Sequence, residues 1–549
     1  MSRSAILRLA VWMGLVSGFL EGVVLTATRS FPAILASFKG SIHLLWIAPL
    51  TEGIIFAGVG CLLAMAVRRW PSFGPRVPAV VSFLGVFEVL STPKILHPAA
   101  AIVLALGLAS TLASRLPAGR IRWAPYAAGL AMLVAGCYGW LWVSEKHMAA
   151  ALPEARGGVS TNVLAVVLDT VRYDRFRNMA ASGRLPNLKR LGDEGIILQN
   201  AWSVTSWSLP SQASILTGVS PEVHQTDWPG FAMNPKLPTL AEYFASQGYV
   251  TGAFSSNASW VTPEYLGRGF LRFRVYSWED HLRRTTSGSR LARISWEFGL
   301  HFAGRGRPAA ALTADFASFL DDYPDRPFFA YLCYMDVNRR MHAAFLNKPF
   351  WYPDPPTTTV VQAYDEALGG IDAEFGTLLN LLRRKSKLDN TIIAVTSDHG
   401  ESFGPDLRGD HELWGHGTSL YPEQTRVPLI LWAPAGKLRA ALPTADPVSI
   451  QAIPATLLGL LGMKGPFPGP SLIEPPPNAI MMNLLYGGVD HRSVLSGHWQ
   501  SIRTGLNQEL FDLVSDPTAQ TNLSGQVAVP ESIQRAVKPG AGSAVSGEY

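Results

Sequence analysis

Three cysteines in 549 residues leave almost nothing to cross-link. Cys61 and Cys137 lie in apolar runs, and Cys333 stands alone in the rest of the chain, in a strand-like run that suits a small buried side chain. Internal disulfides are therefore excluded after residue 145, and that part of the chain must be held by its hydrophobic core, for which it is long enough. Charge is scarce too. Charged residues make up 16% of the chain and the formal net charge is only +5, partly from short basic loops near the front, which gives no case for a nucleic-acid partner. What the chain has in excess is apolar sequence, 48% of it, concentrated before residue 145.

Five apolar runs precede that point: Ala5–Thr28, Ile42–Val67, Val77–Thr92, Pro98–Leu112 and Trp123–Val143. The first, second and fifth reach the roughly twenty residues that a bilayer-spanning helix needs. The third and fourth are shorter, and the alternative is a re-entrant pair with three full spans. The expectation is an all-α transmembrane region of about five spans over residues 1–144. Glu21, Glu52 and Glu88 interrupt these runs and call for inward-facing positions or helix ends, because a carboxylate facing lipid is costly. Loop charge sets the orientation. Arg3, Arg8, Arg68, Arg69, Arg76, Arg115, Arg120 and Arg122 lie on one side, against Arg29, Lys39, Lys94 and Lys146 on the other. This places the N-terminus in the cytoplasm and the later domain outside, on the periplasmic face of an inner membrane whose lipid bilayer is the partner. A transporter or receptor core is the competing reading of the spans, but no internal repeat supports it.

Residues 145–160 read as a linker, after which the pattern changes to alternating strands and helices. Asn162–Leu168 and Thr391–Thr396 are apolar, β-branched runs of the kind a parallel strand buried on both faces requires. Further strands are expected at Tyr249–Phe254, Phe328–Met335 and Val427–Trp432. Helices are expected at Leu185–Glu194, Leu237–Gln247, Ala309–Asp321, Thr358–Lys385 and Ser449–Leu461. Together they predict an α/β domain with a mainly parallel central sheet over residues 161–465. Short strand-like runs over 466–524 suggest a small antiparallel C-terminal subdomain, and the Gly-, Ala- and Ser-rich tail 525–549 is expected to be disordered.

Ligands of open α/β sheets bind beyond the carboxyl ends of the strands. There the first buried strand runs into Asp169 and the second into Asp398-His399-Gly400-Glu401. The stretch Thr205-Ser-Trp-Ser-Leu-Pro-Ser-Gln-Ala-Ser-Ile-Leu-Thr-Gly218 reads as a loop entering a short helix, with Ser208 at or beside its N-terminus. The same serine could be an ordinary helix cap or a nucleophile favoured by the helix dipole. Asp169, Asp398, His399 and a serine hydroxyl form an oxygen-rich set with one imidazole. Such a set suits one divalent metal ion, calcium, magnesium, manganese or zinc, rather than a thiolate metal. His411 and His416 follow in a Gly-rich stretch, where one could act as general acid and the other could bind a second metal or the substrate. Trp202, Trp207, Trp228 and Trp260 lie near these segments and could stack on a sugar or lipid headgroup, although aromatic residues more often pack in cores.

These pieces, in this order, make residues 160–523 similar to the sulfatase branch of the alkaline phosphatase superfamily. The similarity is carried by Asn162 through Asp174, by Ser208-Leu-Pro-Ser-Gln with Leu216-Thr-Gly218, by Ser397-Asp-His-Gly-Glu-Ser-Phe-Gly404, by Trp414-Gly-His-Gly-Thr-Ser-Leu-Tyr421 with Arg426-Val-Pro-Leu-Ile430, and by Leu510-Phe-Asp-Leu513 with Asp516-Pro517 and Asn522-Leu523. The resemblance implies Asp169, Thr170, Asp398, His399 and Ser208 around the metal. It implies Ser208, Arg172, His411 and His416 in catalysis, and Asn338, Gln212 and His224 toward the substrate. Departures narrow it. The family's modified nucleophile lies in a motif ending in Arg, where Gln212 stands here, so conversion of Ser208 to formylglycine is not implied. Thr170 replaces the second aspartate of a pair, and Asn338 falls where a histidine is usual, with His342 close by. The reading is a membrane-anchored hydrolase of sulfate or phosphate esters, acting on an envelope glycan, a lipid or a small-molecule ester. The alternatives are a phosphoethanolamine- or glycerol-phosphate-type transferase and a catalytically degenerate binding or sensor protein.

Overall fold

The computed structural model describes the chain apart from residues 28–40, 93–95, 117–122, 156–160, 229, 298–305, 347–355, 405–410, 412, 435–437, 439–445, 475–476, 478 and 538–549. Arg29, Lys39, Lys94, Arg120 and Arg122, used above for orientation, lie outside the described residues, as does part of the linker. The chain divides into two compact units.

The first unit comprises Met1–His147 with Tyr276–Gly304 and Leu346–Tyr352. Its helices are Arg3–Ala27, Leu44–Arg69, Val77–Ser91, Pro98–Ala113 and Trp123–Ala150. A 3₁₀ turn at Pro71–Arg76 leads into the third and lengthens it to 21 residues, so the third run, judged short, is long enough to cross a membrane. Pro98–Ala113 is not. Among the described residues four helices, rather than five, are long and apolar enough to do so. The fifth helix runs through residues 145–150, which composition had assigned to the linker.

The first two helices approach closely along a glycine seam. A Cβ at Gly14, Gly18 or Gly22 would sit 2.4–2.5 Å from the carbonyl oxygens of Glu52, Ala48 and Leu44 respectively. The falling order of the partners makes the pair antiparallel, and the four-residue spacing is the small-residue seam of closely packed apolar helices. The stretch Tyr276–Gly304, which no sequence pattern had marked, contributes helices Trp278–Arg284 and Thr286–Glu297 to this unit.

The second unit comprises Met148–Val275, Arg305–Phe345 and Pro353–Tyr549. In chain order its strands are β1 (Asn162–Leu168), β2 (Ile196–Trp202), β3 (Val250–Ser255), β4 (Arg272–Arg274), β5 (Phe328–Tyr334), β6 (Thr391–Thr396), β7 (Ser402–Phe403), β8 (Trp414–Gly415), β9 (Arg426–Trp432), β10 (Val448–Ser449), β11 (Ile480–Tyr486), β12 (Val489–Ser496), β13 (Trp499–Thr504) and β14 (Asn507–Asp512). The eight-stranded sheet has the order β10-β2-β9-β6-β1-β5-β3-β4. It is parallel except for β9, which runs antiparallel to both β2 and β6. β1, β5 and β6 are buried along their whole length, which is why their sequences are continuously apolar instead of alternating.

Helices cover both faces. Thr357–Arg384 and Ala309–Asp322 pack with Leu164, Val166 and Leu168, while Ser208–Thr217 and Ile453–Leu460 pack with Val163, Ala165 and Val167. β11 to β14 form the small antiparallel sheet. The tail expected to be disordered carries a helix, Glu531–Val537, with Ile533 buried; residues 538–549 lie outside the described part.

Candidate active site

The central strands β1 and β6 pair in parallel, with Val167 opposite Thr396, so the residues that follow them emerge together. The Asp169 N–H donates to the Tyr334 carbonyl at 2.8 Å and carries the ladder one residue past β1. The chain then turns at Thr170, whose φ of 65° is an outlier for a β-branched residue. This strained turn is clamped. The Tyr364 hydroxyl donates to the Thr170 carbonyl at 2.8 Å and accepts the Arg172 N–H at 2.8 Å. Ser397 Oγ accepts the Val171 N–H at 2.8 Å.

Asp169, Asp398 and His399 are fully buried and present ligand atoms within 4.8 Å of one another. Asn257, two residues past β3, donates from Nδ2 to Asp169 Oδ2 at 2.8 Å. Gln212 donates to Asp398 Oδ2 at 2.8 Å. His399 donates from Nδ1 to the Gly400 carbonyl at 2.8 Å, which turns its Nε2 lone pair toward the two carboxylates. Burial, and after it the neighbouring Asp398 carboxylate, push Asp169 well above the usual carboxylate range, while burial lowers His399. Asp169 Oδ1 is buried without a hydrogen-bond partner among the described residues. Two buried carboxylates, one neutral imidazole and an orphaned oxygen fit a divalent cation.

Ser208 opens the helix Ser208–Thr217, which closes at Gly218 with φ 73°. The capping position belongs to Trp207 in extended conformation, and no side chain caps this end, so Ser208 is not an ordinary cap. Its Oγ lies 3.1 Å from His399 Nε2 and 3.5 Å from Asp169 Oδ2. His416 stacks on His399 with centroids 4.3 Å apart, and its Nδ1 meets Glu401 Oε2 at 2.9 Å. Burial opposes charging of His416, but the carboxylates of Glu401, Asp169 and Asp398 outweigh it and raise the imidazole to about 9. His342 stands edge-on to His416 at 6.1 Å.

The remaining predicted residues sit around this centre. Thr170 turns its hydroxyl onto the Asp169 carbonyl at 2.6 Å, so it offers the cluster its N–H, 3.3 Å from Asp398 Oδ1, and no oxygen ligand. Arg172 grips Asp174 with two nitrogens at 2.9 Å and the Glu401 carbonyl with a third at 3.0 Å. It therefore braces the turn instead of extending to an ester. His411 engages Glu423 at 2.9 Å and the Ala519 carbonyl at 3.0 Å, and both its nitrogens are taken. Gln212 is fully buried, and its amide is engaged by Asp398 and by the Tyr331 hydroxyl at 2.9 Å.

His224 is also buried, between Ser214, the Pro210 carbonyl and the Thr226 N–H; it steadies the Ser208 helix and has no exposed face for a substrate. Asn338 is buried in the first turn of helix Asp336–Leu346. The sequence reading missed Asn257 and Glu401. A β-strand ending in Ser-Ser-Asn was the available signal for the first, and the Asp-His-Gly-Glu run itself for the second. Trp202 is a core residue, whereas Trp207, Trp260 and the exposed Trp228 interlock with Phe231 beside Ser208.

The fold and this centre define a hydrolase of the alkaline phosphatase type, with two strand-end aspartates, a histidine and a helix-borne hydroxyl. A family model described as Sulfatase matches residues 161–463, and the chain belongs to the sulfatase family of sulfuric ester hydrolases. Iduronate 2-sulfatase of Mus musculus is 24% identical over 398 residues, covering 57% of this chain and 71% of that protein. Choline-sulfatase of Rhizobium meliloti is 22% identical over 445 residues, covering 66% of this chain and 82% of that one. Among solved structures, the phosphonate monoester hydrolase of Agrobacterium radiobacter shares the fold, with a TM-score of 0.52 at 18% identity over 67% of this chain and 92% of that one.

Proposed function

We propose that the protein is a membrane-anchored, metal-dependent hydrolase of sulfate or phosphate esters in which an unmodified Ser208 is the nucleophile. The carrying observation is the position of Ser208 Oγ, at a helix N-terminus and within 3.5 Å of both His399 Nε2 and Asp169 Oδ2. Asp169, Asp398 and His399 would hold the cation, with Asn257 and Gln212 fixing the carboxylates. A divalent cation there would polarise the ester and lower the pKa of the hydroxyl. Ser208 Oγ, its proton released to solvent from the acidified hydroxyl, would bond to sulfur or phosphorus as the bond from that atom to the ester oxygen breaks. That oxygen leaves with a proton from His416 Nε2, whose Nδ1 is held by Glu401. Water then attacks the seryl ester, restoring the hydroxyl and releasing the anion. Neutral Gln212 in place of the usual Arg supports an unmodified serine. The aromatic group of Trp207, Trp228, Phe231 and Trp260 beside Ser208 suits a sugar ring or headgroup, in keeping with relatives named as sulfatases of iduronate and choline.

The four long apolar helices support the membrane anchor. An extracytoplasmic catalytic domain on a bacterial inner membrane, the side that loop charge favours, further requires the shorter helix Pro98–Ala113 to cross, since four crossings alone would return the chain to the side of its N-terminus. The hydrolase reading is preferred to the transferase because the named relatives are hydrolases. Peptide mass spectrometry of the Ser208 peptide, before and after exposure to candidate esters, tests the proposal. A sulfate or phosphate adduct absent from Ser208→Ala is expected. The aldehyde mass of formylglycine at position 208 would overturn the unmodified nucleophile.

A further inference from the structure

The first unit contains a second concentration of acid. Glu21 lies in the last third of helix Arg3–Ala27, Glu88 in the last turn of Val77–Ser91 and Glu52 in the first third of Leu44–Arg69. Because the first two helices are antiparallel, Glu21 and Glu52 come to the same end of the pair. Helix Thr286–Glu297 meets Glu21 and Glu88 with its first residues. The Thr286 N–H donates to Glu21 Oε1, the Ser287 hydroxyl donates to Glu88 Oε1 at 3.0 Å, and Arg290 pairs with Glu88 Oε2 at 2.5 Å.

Glu52 is different. It is fully buried, one of its oxygens lies within 4.8 Å of an oxygen of Glu21 and of Glu88, and neither of its oxygens makes a hydrogen bond of ordinary geometry among the described residues, the nearby Ser287 hydroxyl being directed to Glu88. Glu21 Oε2 is likewise buried and unmatched. A buried carboxylate aimed at two others without a donor is costly unless something positive completes it.

We propose that Glu21, Glu52 and Glu88 form a second metal site, separate from the sulfatase centre, that takes a hard divalent cation of the calcium or magnesium class. Three carboxylates against the one guanidinium of Arg290 leave two negative charges, which a divalent ion cancels and a monovalent one does not. The donors are all oxygen, and Ser287 adds a hydroxyl at the rim, the set that calcium and magnesium prefer to the softer metals. The same ion would fasten helix Thr286–Glu297, an excursion from the catalytic portion of the sequence, to the apolar helices of this unit through the residues that already bind Glu21 and Glu88.

The test is equilibrium dialysis of the full chain in detergent against calcium, and separately magnesium, with bound metal counted by elemental mass spectrometry. Wild type is expected to hold one more divalent ion per chain than Glu52→Gln, and that ion is expected to survive in Asp398→Asn. An equal count in wild type and Glu52→Gln overturns the proposal and makes Glu52 a neutral buried acid. Glu21→Gln repeats the measurement should Glu52→Gln fail to give a monodisperse chain. Because Asp398→Asn empties only the sulfatase centre, loss of that metal and loss of this one are read separately.

Discussion

Asn257→Leu removes the amide that supports the Asp169 carboxylate. The amide orientation is fixed by its surroundings, since Oδ1 accepts the N–H groups of Ser259 at 3.2 Å and Trp260 at 3.0 Å, leaving Nδ2 to face Asp169 Oδ2 at 2.8 Å. Leucine keeps the branch at Cγ, is bulkier, and has no donor. Asp169 Oδ1 already lacks a partner, so the variant leaves Asp169 with only the long 3.5 Å contact from Ser208. A hydrogen bond to a charged group contributes about 1.5–3 kcal/mol. Part of that is recovered as the carboxylate shifts onto the cation, so a loss of roughly 10- to 100-fold in divalent-metal affinity is expected, the usual effect of removing a partner behind a metal ligand. Calorimetric titration of the metal-stripped chain measures it. Thermal stability does not suffice, because the Ser259 and Trp260 backbone bonds are lost as well. Affinity within about twofold of wild type would refute the idea that Asn257 orients Asp169.

Other substitutions test separate parts of the site. Tyr364→Phe leaves the Thr170 carbonyl and the Arg172 N–H unmatched in a buried turn and should cost about 1–3 kcal/mol of stability, read by denaturant unfolding. His416→Gln should lower kcat roughly 10²- to 10⁴-fold on esters with poor leaving groups and much less on an aryl ester with a good one; equal losses on both would remove its role as general acid. His224 is held at about 3 by burial, against 6.5 in the unfolded chain. With the folded value depressed, the unfolded chain takes up the proton first as pH falls. Its contribution is whole above 6.5 and drains away toward 3, amounting to about 2 kcal/mol lost at pH 5 relative to pH 8. Unfolding of wild type and His224→Asn across that interval should differ in slope by this amount, and coincident slopes would contradict it.

The buried strands were readable because burial on both faces leaves a simple mark. β1 and β6 begin and end where their apolar runs do. β2 escaped notice since Gln199 and Asn200 break its pattern, and β4 has only three residues. The insertion at Tyr276–Gly304 was invisible because its packing partners lie more than a hundred residues upstream. Within the site, residue type at a strand end was legible and pointed to the Asp169, Asp398 and His399 cluster, while Ser208 was marked by its place at a helix start. Roles that depend on which way a polar side chain turns were not. Gln212, Arg172, His224 and His411 each have donors or acceptors suited to a substrate, yet local neighbours claim them all.

Asn338 raised the possibility of a degenerate centre, because an amide cannot pass a proton where a histidine is usual. The helix Asp336–Leu346 answers that objection. Residues four apart share a face of a helix, so His342 returns to the side that Asn338 occupies. Its Nδ1 is fastened to the Asn338 carbonyl at 3.0 Å, leaving Nε2 available, and its ring stands at 88° to His416. Burial, and to a lesser degree the neighbouring His416, lower His342, while Glu401 acts the other way. A neutral imidazole next to one raised to about 9 is the pairing of base and acid that hydrolysis of a covalent ester needs. On the proposed reading, His342 supplies, one turn along the helix, the basic nitrogen that the amide at 338 lacks. His342→Gln should therefore slow release of the Ser208 adduct more than its formation, so that the modified peptide accumulates; an unchanged steady-state level of adduct would return the weight to a centre that binds without turnover.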